Sequence, residues 1–263
     1  MGILNLTPDS FYDGGKYSSQ NQALSKAAQM LSEGADWIDV GAASSKPNSA
    51  IVELEEEWSR LSLILPQVRK EFPDVPLSID TWRSEIARRA WEEGIDLVND
   101  ISGGRLDPKM FDFIAEKRAP YCLMHMQGNP QNMQNNPSYT NVVADQLKWF
   151  SSQIQELRAR SVSDIVIDPG FGFGKSIEHN FQILKGLEAY QLLGCPILVG
   201  LSRKSMINRL LDIPASEALN GSTVLHTLAL QKAASILRVH DVKEAKQAVI
   251  MCQYFNTVPD ALI

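Results

Sequence analysis

Eight short apolar runs recur along this chain, each ending in polar residues and each followed by a stretch with helical spacing. They are MGILNLT, WIDVGA, PLSIDT, DLVNDIS, PYCLMHM, DIVIDPG, PILVGLS and SILRVH. Runs this short and apolar read as buried strands. Between them, residues 21–33 place Leu24, Ala27, Ala28 and Leu31 on one helical face, with Gly34 as the stop. Residues 55–72 are helical with acids in the first turn, and Pro66 is expected to kink them. Ser84 to Glu93 is a helix stopped by Gly94, and Pro108 opens the helix over 108–118. Val143, Leu147, Phe150, Ile154 and Leu157 alternate spacings of four and three, an amphipathic stripe. Helices are also expected over 178–193 and 215–233, and Asp241 should cap a last one, with Glu244 at a capping-box position.

Strands that alternate with helices imply parallel pairing with crossovers. Eight such units in 263 residues favour a closed (β/α)8 barrel, one domain over 1–263, with long loops after the first two strands. An open doubly wound sheet would want GxGxxG after the first strand, and the sequence has none there.

The formal net charge of −6 disfavours nucleic acid, which needs a basic face, yet it leaves room for a small anion held by a few cations. No apolar run approaches the roughly 20 residues of a membrane span, and no basic-then-apolar secretory signal opens the chain. A myristoylation signal fails because Leu6 stands where Ser or Thr is needed. The chain opens directly inside a strand-like run, which is compatible with residues upstream of Met1. Cys122, Cys195 and Cys252 lie far apart with no zinc-ligand spacing, and read as reduced thiols of a cytosolic protein.

In a (β/α)8 barrel the C-terminal strand ends form the active face. Here those ends carry Asn5, Asp39, Asp80, Asn99, His125 with Met126, Asp168, Ser202 to Lys204, and Arg238 with His240. A barrel built only for stability gains nothing from desolvated acids and amides at its mouth. Asp39 taken alone reads as a cap on the following helix. The others divide by chemistry. Asp80, Asn99, Asp168 and Lys204, near apolar Ile101, Met126 and Phe173, suit a flat heterocycle with an amidine-like edge, since a carboxylate accepts two parallel N–H bonds. Arg238 and His240 share a face of the last strand and suit phosphate or pyrophosphate, with Asn5 placed to hold Mg²⁺. A lone His240 would be structural; beside Arg238 it reads as anion-binding. The stretch GFGFGK followed by Ser176 is not a P-loop, because Pro169 stands where the first Gly is needed. SRKS, Ser202 to Ser205, places two cations and two hydroxyls after the seventh strand, with N–H groups able to hold an anion.

MGILNLTPDSFYDGG, SIDT, NDIS, MHMQGNP, DPGFGFGK, GLSRKSMI and RVHDV, in this order, resemble the dihydropteroate synthases of folate biosynthesis, over essentially the whole chain. The resemblance implies a (β/α)8 barrel, usually a homodimer in the cytoplasm, and a transferase targeted by sulfonamides. Its substrates would be 6-hydroxymethyl-dihydropterin pyrophosphate and 4-aminobenzoate, with Mg²⁺ assisting departure of pyrophosphate. It implies pterin contacts from Asp80, Asn99, Met126, Asp168 and Lys204. Pyrophosphate would meet Arg238, His240 and Asn5, with Asn5 on the metal. Asp13, in the first loop with Phe11, would stabilise the cation developing on the pterin methylene. Phe11, Ser45, Lys46, Pro47, Phe173 and Ser205 would shape the aminobenzoate site. Asp13, Lys204 and Asp80 would carry the catalysis. In the second loop the family usually reads S-T-R-P-G, whereas this chain has Ser45, Lys46, Pro47 and Asn48. Lys46 keeps the charge without the planar fork. A methyltetrahydrofolate methyltransferase-like enzyme would need no pyrophosphate pair, and a pterin-binding barrel without synthase activity would keep the pocket alone.

Overall fold

The computed structural model describes residues 1–6, 16–43 and 52–259. Phe11, Asp13, Ser45, Lys46, Pro47 and Asn48 therefore lie outside the described residues. Eight strands appear in the expected places: β1 (Gly2–Asn5), β2 (Ile38–Gly41), β3 (Leu77–Asp80), β4 (Leu97–Asp100), β5 (Tyr121–Met124), β6 (Ile165–Asp168), β7 (Leu198–Val199) and β8 (Ile236–Leu237). β1 to β6 pair in parallel in sequence order, and β7 pairs with β8. Two single bridges complete the ring, Ile167 to Ile197 between β6 and β7, and Gly2 to Val239 between β1 and the end of β8. The Val239 amide donates to the Met1 carbonyl at 3.0 Å, and the Ile3 amide donates to the Val239 carbonyl at 3.0 Å. The barrel is closed, which removes the unpaired edges that an open sheet would leave.

The period of two along each strand sorts side chains by face. Ile38, Val40, Leu77, Ile79, Val98, Leu123, Ile165 and Ile167 point outward into the main core beneath the helices. The inward set begins with Met1, Leu97, Cys122 and Leu198, packed with Trp37, Val166 and Ile236 at the lower end. Two residues further along, the inward positions turn polar at Asp39, Asp80, Asn99 and Asp168. The sequence IDV, SID and VND thus encodes an apolar outer wall and an acidic throat in the same few residues.

The helices are α1 (Lys16–Ser32), α2 (Leu54–Leu61), α3 (Leu65–Glu71), α4 (Ser84–Glu92), α5 (Met110–Lys117), α6 (Val142–Ala159), α7 (Ile177–Lys185), α8 (Ser205–Leu211), α9 (Leu219–Gln231) and α10 (Val242–Thr257). Pro66 does more than kink. The helix expected over 55–72 breaks into α2 and α3, and Pro66 sits in the first turn of α3, where its missing N–H costs nothing. The helix expected over 178–193 ends at Gly186 and resumes as a tighter 3-10 turn over Leu187–Leu193. The span 215–233 likewise divides into a 3-10 turn over Ala215–Glu217 and α9, and α8 precedes it unanticipated. Asp241 stands at the N-cap of α10 without capping it, because its carboxylate is taken by Arg203 at 2.9 and 2.8 Å. No helix among the described residues is long and apolar enough to cross a membrane.

Candidate functional site at the barrel mouth

The polar inward residues converge at the C-terminal end of the strands. Asp39 is fully buried, with no exposed surface. Its Oδ1 accepts from the Ser78 hydroxyl, and its Oδ2 accepts from Asn99 Nδ2 at 3.2 Å and Arg238 Nε at 2.6 Å. This overturns the reading of Asp39 as a helix cap: the side chain points into the barrel and ties β2 to β3, β4 and β8. Arg238 also donates through Nη2 to Asp80. Gly41 faces Asp80 from β2, and a Cβ there would come 3.2 Å from the Cβ of Asp80. At Gly200, after β7, an added Cβ would meet nothing within 4 Å, so the throat has open space on that side.

Asp168 ends β6 and is 6% exposed. Its Oδ1 accepts the Gly170 amide at 2.7 Å. Among the described residues nothing donates to its other oxygen. Beside it, Ile101, Met124, Met126, Met133 and Phe173 form a separate small apolar cluster, flanked by Trp82 and Leu106. The Lys204 ammonium stands 4.3 Å from the centre of the Phe173 ring, a cation–π contact that places the cation at the lip of this wall. Acids, amide, cation and apolar wall expected to meet do meet: Asp80, Asn99, Asp168, Lys204, Met126, Ile101 and Phe173.

Burial governs the protonation of these groups. It pushes the Asp80 carboxyl up to about 7 despite Arg238, with Asp39, Glu57 and Asp100 adding repulsion. It pushes Asp168 up as well, opposed by the Gly170 bond and by Lys204, Arg238 and Lys175. Lys204 is drawn down to about 8 by burial and by Arg238, against Asp168 and Asp80. Arg238 is held above its ordinary value, because Asp39 and Asp80 outweigh its burial. His240 stands at the exposed rim, yet the protein around its ring, with Arg238 beside it, holds it down to about 4.

Several strand-end residues go elsewhere. His125 turns away from the mouth, with its Nδ1 at 3.1 Å from Gln146 Nε2 and its ring edge-on to Trp149. Of the two cations in SRKS only Lys204 faces the throat; Arg203 is committed to Asp241 and to the carbonyls of Ala215 and Ser216. Ser205 is exposed at the start of α8. Ser202 Oγ accepts the His240 amide at 3.2 Å, which joins the ends of β7 and β8. Asn5 is half-buried at the end of β1, beside the β8 end that carries Arg238 and His240. Sequence reasoning missed Asp39 and Ser78 as a pair. The signal was present in the strand period, since IDV and LSI place both on the inward face.

A groove of about 520 Å³ opens at the opposite end of the barrel, between Trp37, Ile236, Val242 and Lys246. It lies at the N-terminal face of the strands, where (β/α)8 barrels carry stability rather than chemistry.

The pterin binding enzyme family model matches residues 1–240. The chain belongs to this family. It is 43% identical to the dihydropteroate synthase of Synechocystis sp. over 250 residues, 94% of this chain and 86% of that protein. It is 41% identical to the Escherichia coli dihydropteroate synthase over 251 residues, covering 95% of this chain and 88% of that one. Among solved structures, Yersinia pestis dihydropteroate synthase in a sulfonamide drug complex superposes with a TM-score of 0.92 at 39% identity, over 98% of this chain and 94% of the other. Xanthomonas albilineans dihydropteroate synthase in complex with 7,8-dihydropteroate gives 0.88 at 35% identity, over 98% and 94%.

Proposed function

We propose that this chain is a dihydropteroate synthase, joining 6-hydroxymethyl-7,8-dihydropterin pyrophosphate to 4-aminobenzoate to give 7,8-dihydropteroate and pyrophosphate. The observation that carries the reading is Asp168: a buried carboxylate with one oxygen held by the Gly170 amide, set against the Met126 and Phe173 wall and below Lys204. That arrangement supports a pterin held by its amidine edge on Asp168, with Asn99 and Asp80 on the remaining polar atoms and Lys204 donating to a ring acceptor.

Pyrophosphate departs first, leaving positive charge on the pterin methylene. The residues' task is then to neutralise the leaving group and stabilise the cation. In this reading Arg238 and His240 would take the anion, and Asp13 would stabilise the cation. The aromatic amine is a weak base but a competent nucleophile once held in line, and Phe11, Ser45, Lys46, Pro47, Phe173 and Ser205 are the residues to hold it. No covalent protein nucleophile is required. A Mg²⁺ ion fits the donor set as a substrate-borne ion. Asn5 offers one neutral, hard amide oxygen, and among the described residues no group of three or more His, Cys, Asp or Glu gathers to cage a metal. Bound there, the ion would offset charge on the departing pyrophosphate.

The reading places the enzyme in the cytoplasm, in keeping with three unpaired thiols at Cys122, Cys195 and Cys252. It also makes it a homodimer. α9 exposes Val224 and Leu228, and the neighbouring α10 exposes Ile250, Met251, Tyr254 and Phe255 along one stripe. A second copy would cover this apolar face. Sedimentation of a Met251→Lys, Phe255→Lys variant should show monomers where the parent chain shows dimers.

The deciding assay mixes the protein with the pterin pyrophosphate, 4-aminobenzoate and Mg²⁺ and looks for 7,8-dihydropteroate by mass spectrometry. Product that is suppressed by a sulfonamide competing with aminobenzoate supports the reading. Pterin binding without product overturns it in favour of a binding protein.

A further inference from the structure

Lys175 closes the glycine-rich loop and has no part in the chemistry above. It is 3% exposed. Its Nζ donates to the carbonyls of Phe173 at 2.8 Å, Gly170 at 2.9 Å and His125 at 3.1 Å, and lies 3.3 Å from His125 Nδ1. Its three protons therefore serve main-chain oxygens at the ends of two neighbouring strands, β5 and β6. Among the described residues no carboxylate lies at ion-pair distance from it. Burial pushes Lys175 well below its ordinary pKa, with Lys204 and Arg105 adding to the push and Asp168 opposing it, so its charged form relies on these three carbonyls.

The loop it closes has little shape of its own. Gly170, Gly172 and Gly174 all sit at positive φ, 69°, 83° and 63°. Glycine adopts that region without preferring it, so three such residues in five leave many loop conformations open. In the structure the loop is pressed against the end of β5. A Cβ on Gly170 would fall 2.1 Å from the His125 carbonyl oxygen, and one on Gly174 would fall 2.4 Å from that of Gln127. Lys175 is the group that holds this approach closed from inside. A second tie runs beside it: Gln146 Nε2 donates to the Pro169 carbonyl at 2.9 Å and stands 3.1 Å from His125 Nδ1. Two functional side chains depend on the result. Gly170 gives its amide to Asp168, and Phe173 supplies the wall beneath Lys204.

The geometry points to Lys175 as a positioning residue: its ammonium locks the glycine-rich loop to the end of β5 and thereby sets both the pterin-binding carboxylate and the aromatic wall shared with aminobenzoate. The inference rests on the synthase reading for the identity of the two substrates. It also predicts an electrostatic consequence. The charged and titratable groups facing this point are Asp168 on β6, His125 after β5, Arg105 from the loop after β4, and Lys204 from the loop after β7. Of these only Asp168 is acidic, and Lys175 is one of the cations that oppose the upward push of burial on it. Removing the ammonium should therefore make Asp168 harder to ionise.

The test uses the full chain with Lys175→Met, alongside Val68→Ala, a core truncation on α3 remote from the loop that controls for general destabilisation. Far-UV circular dichroism and a thermal melt establish folding. Calorimetry then gives the affinity for the pterin pyrophosphate from pH 5 to 8, and steady-state kinetics gives both KM values. The expected result is a folded variant whose pterin affinity falls roughly tenfold. Its acid limb of pterin binding should move to higher pH. The aminobenzoate KM should rise as well, while Val68→Ala binds pterin as the parent does. Affinity within about twofold of the parent overturns the inference, and so does weaker binding with an unmoved acid limb, which is all that a merely structural lysine predicts. If Lys175→Met does not fold, Lys175→Gln, which keeps a donor but removes the charge, is assayed in the same way: weaker pterin binding with the acid limb moved to higher pH supports the inference, and unchanged binding or an unmoved limb overturns it. A parent chain that binds pterin but makes no dihydropteroate would sink the synthase reading alone, since the pterin affinities still report on Lys175.

Discussion

The two sides of the throat are built in different ways. On the β5 and β6 side, Asp168, Met126 and Phe173 are placed by main-chain hydrogen bonds and apolar contact: the Gly170 amide on Asp168, and a sulfur-rich cluster around Phe173. On the β8, β2 and β3 side, placement is by side-chain ion pairs, with Arg238 held between Asp39 and Asp80. Main-chain bonds cannot be reassigned when a ligand arrives. Ion pairs can, because a guanidinium has five N–H groups to distribute. On the proposed reading the first side serves as a preformed receptor for the pterin ring. The second suits an anion whose arrival and departure redistribute charge during the reaction.

The largest effect should come from breaking the ion-paired side. Arg238→Met leaves Asp39 buried without its cation and should cost roughly 3–5 kcal/mol of stability in urea unfolding, and it should also abolish inhibition by added pyrophosphate. Asp168→Asn should do the reverse. Its amide oxygen still accepts from Gly170, so the fold holds, while pterin affinity measured by calorimetry drops about 100-fold with loss of the charged acceptor. If both variants lose similar stability, the contrast between the two sides fails.

Lys204 gives a pH handle. With its pKa near 8, its charged fraction falls to about a tenth by pH 9, so pterin affinity should weaken five- to tenfold, or about that, between pH 7 and 9. The sign separates this from unfolding. A lysine lowered from 10.5 to about 8 binds fewer protons folded than unfolded across that interval, so its contribution to stability improves as pH rises through it. Lys204→Arg, charged throughout, should lose the alkaline limb; an unchanged limb would assign it to another group. The smallest effect belongs to the wall. Phe173→Leu keeps apolar area but removes the ring under Lys204, and should raise the aminobenzoate KM by roughly fivefold, an interaction worth about 1 kcal/mol.

Much of this was legible before the structure. The eight apolar runs and their helical partners appear where the periodicity puts them, because buried parallel strands and amphipathic helices are dictated by local patterning. Asp80, Asn99, Met126, Asp168 and Lys204 share the mouth because a barrel brings all strand ends together. Helix interruptions were harder. Pro66 was visible but its strength was not, and α8 is a seven-residue helix too short to show a period.

The sequence by itself determined the strand count, the acids at the strand ends and the family. Only the tertiary structure decided which partner each of them takes. Asp39 looked like a local cap, yet it bonds to Ser78, Asn99 and Arg238, which lie 39, 60 and 199 residues away. Arg203 and Lys204 are adjacent in the chain and take different partners, and Lys175, after a glycine-rich loop whose spacing is not that of a P-loop, is buried among the carbonyls of His125, Gly170 and Phe173. The physical reason is the same in each case. Apolar periodicity is a property of neighbours along the chain, whereas a buried charge is satisfied by whatever the closed barrel places within about 3 Å of it.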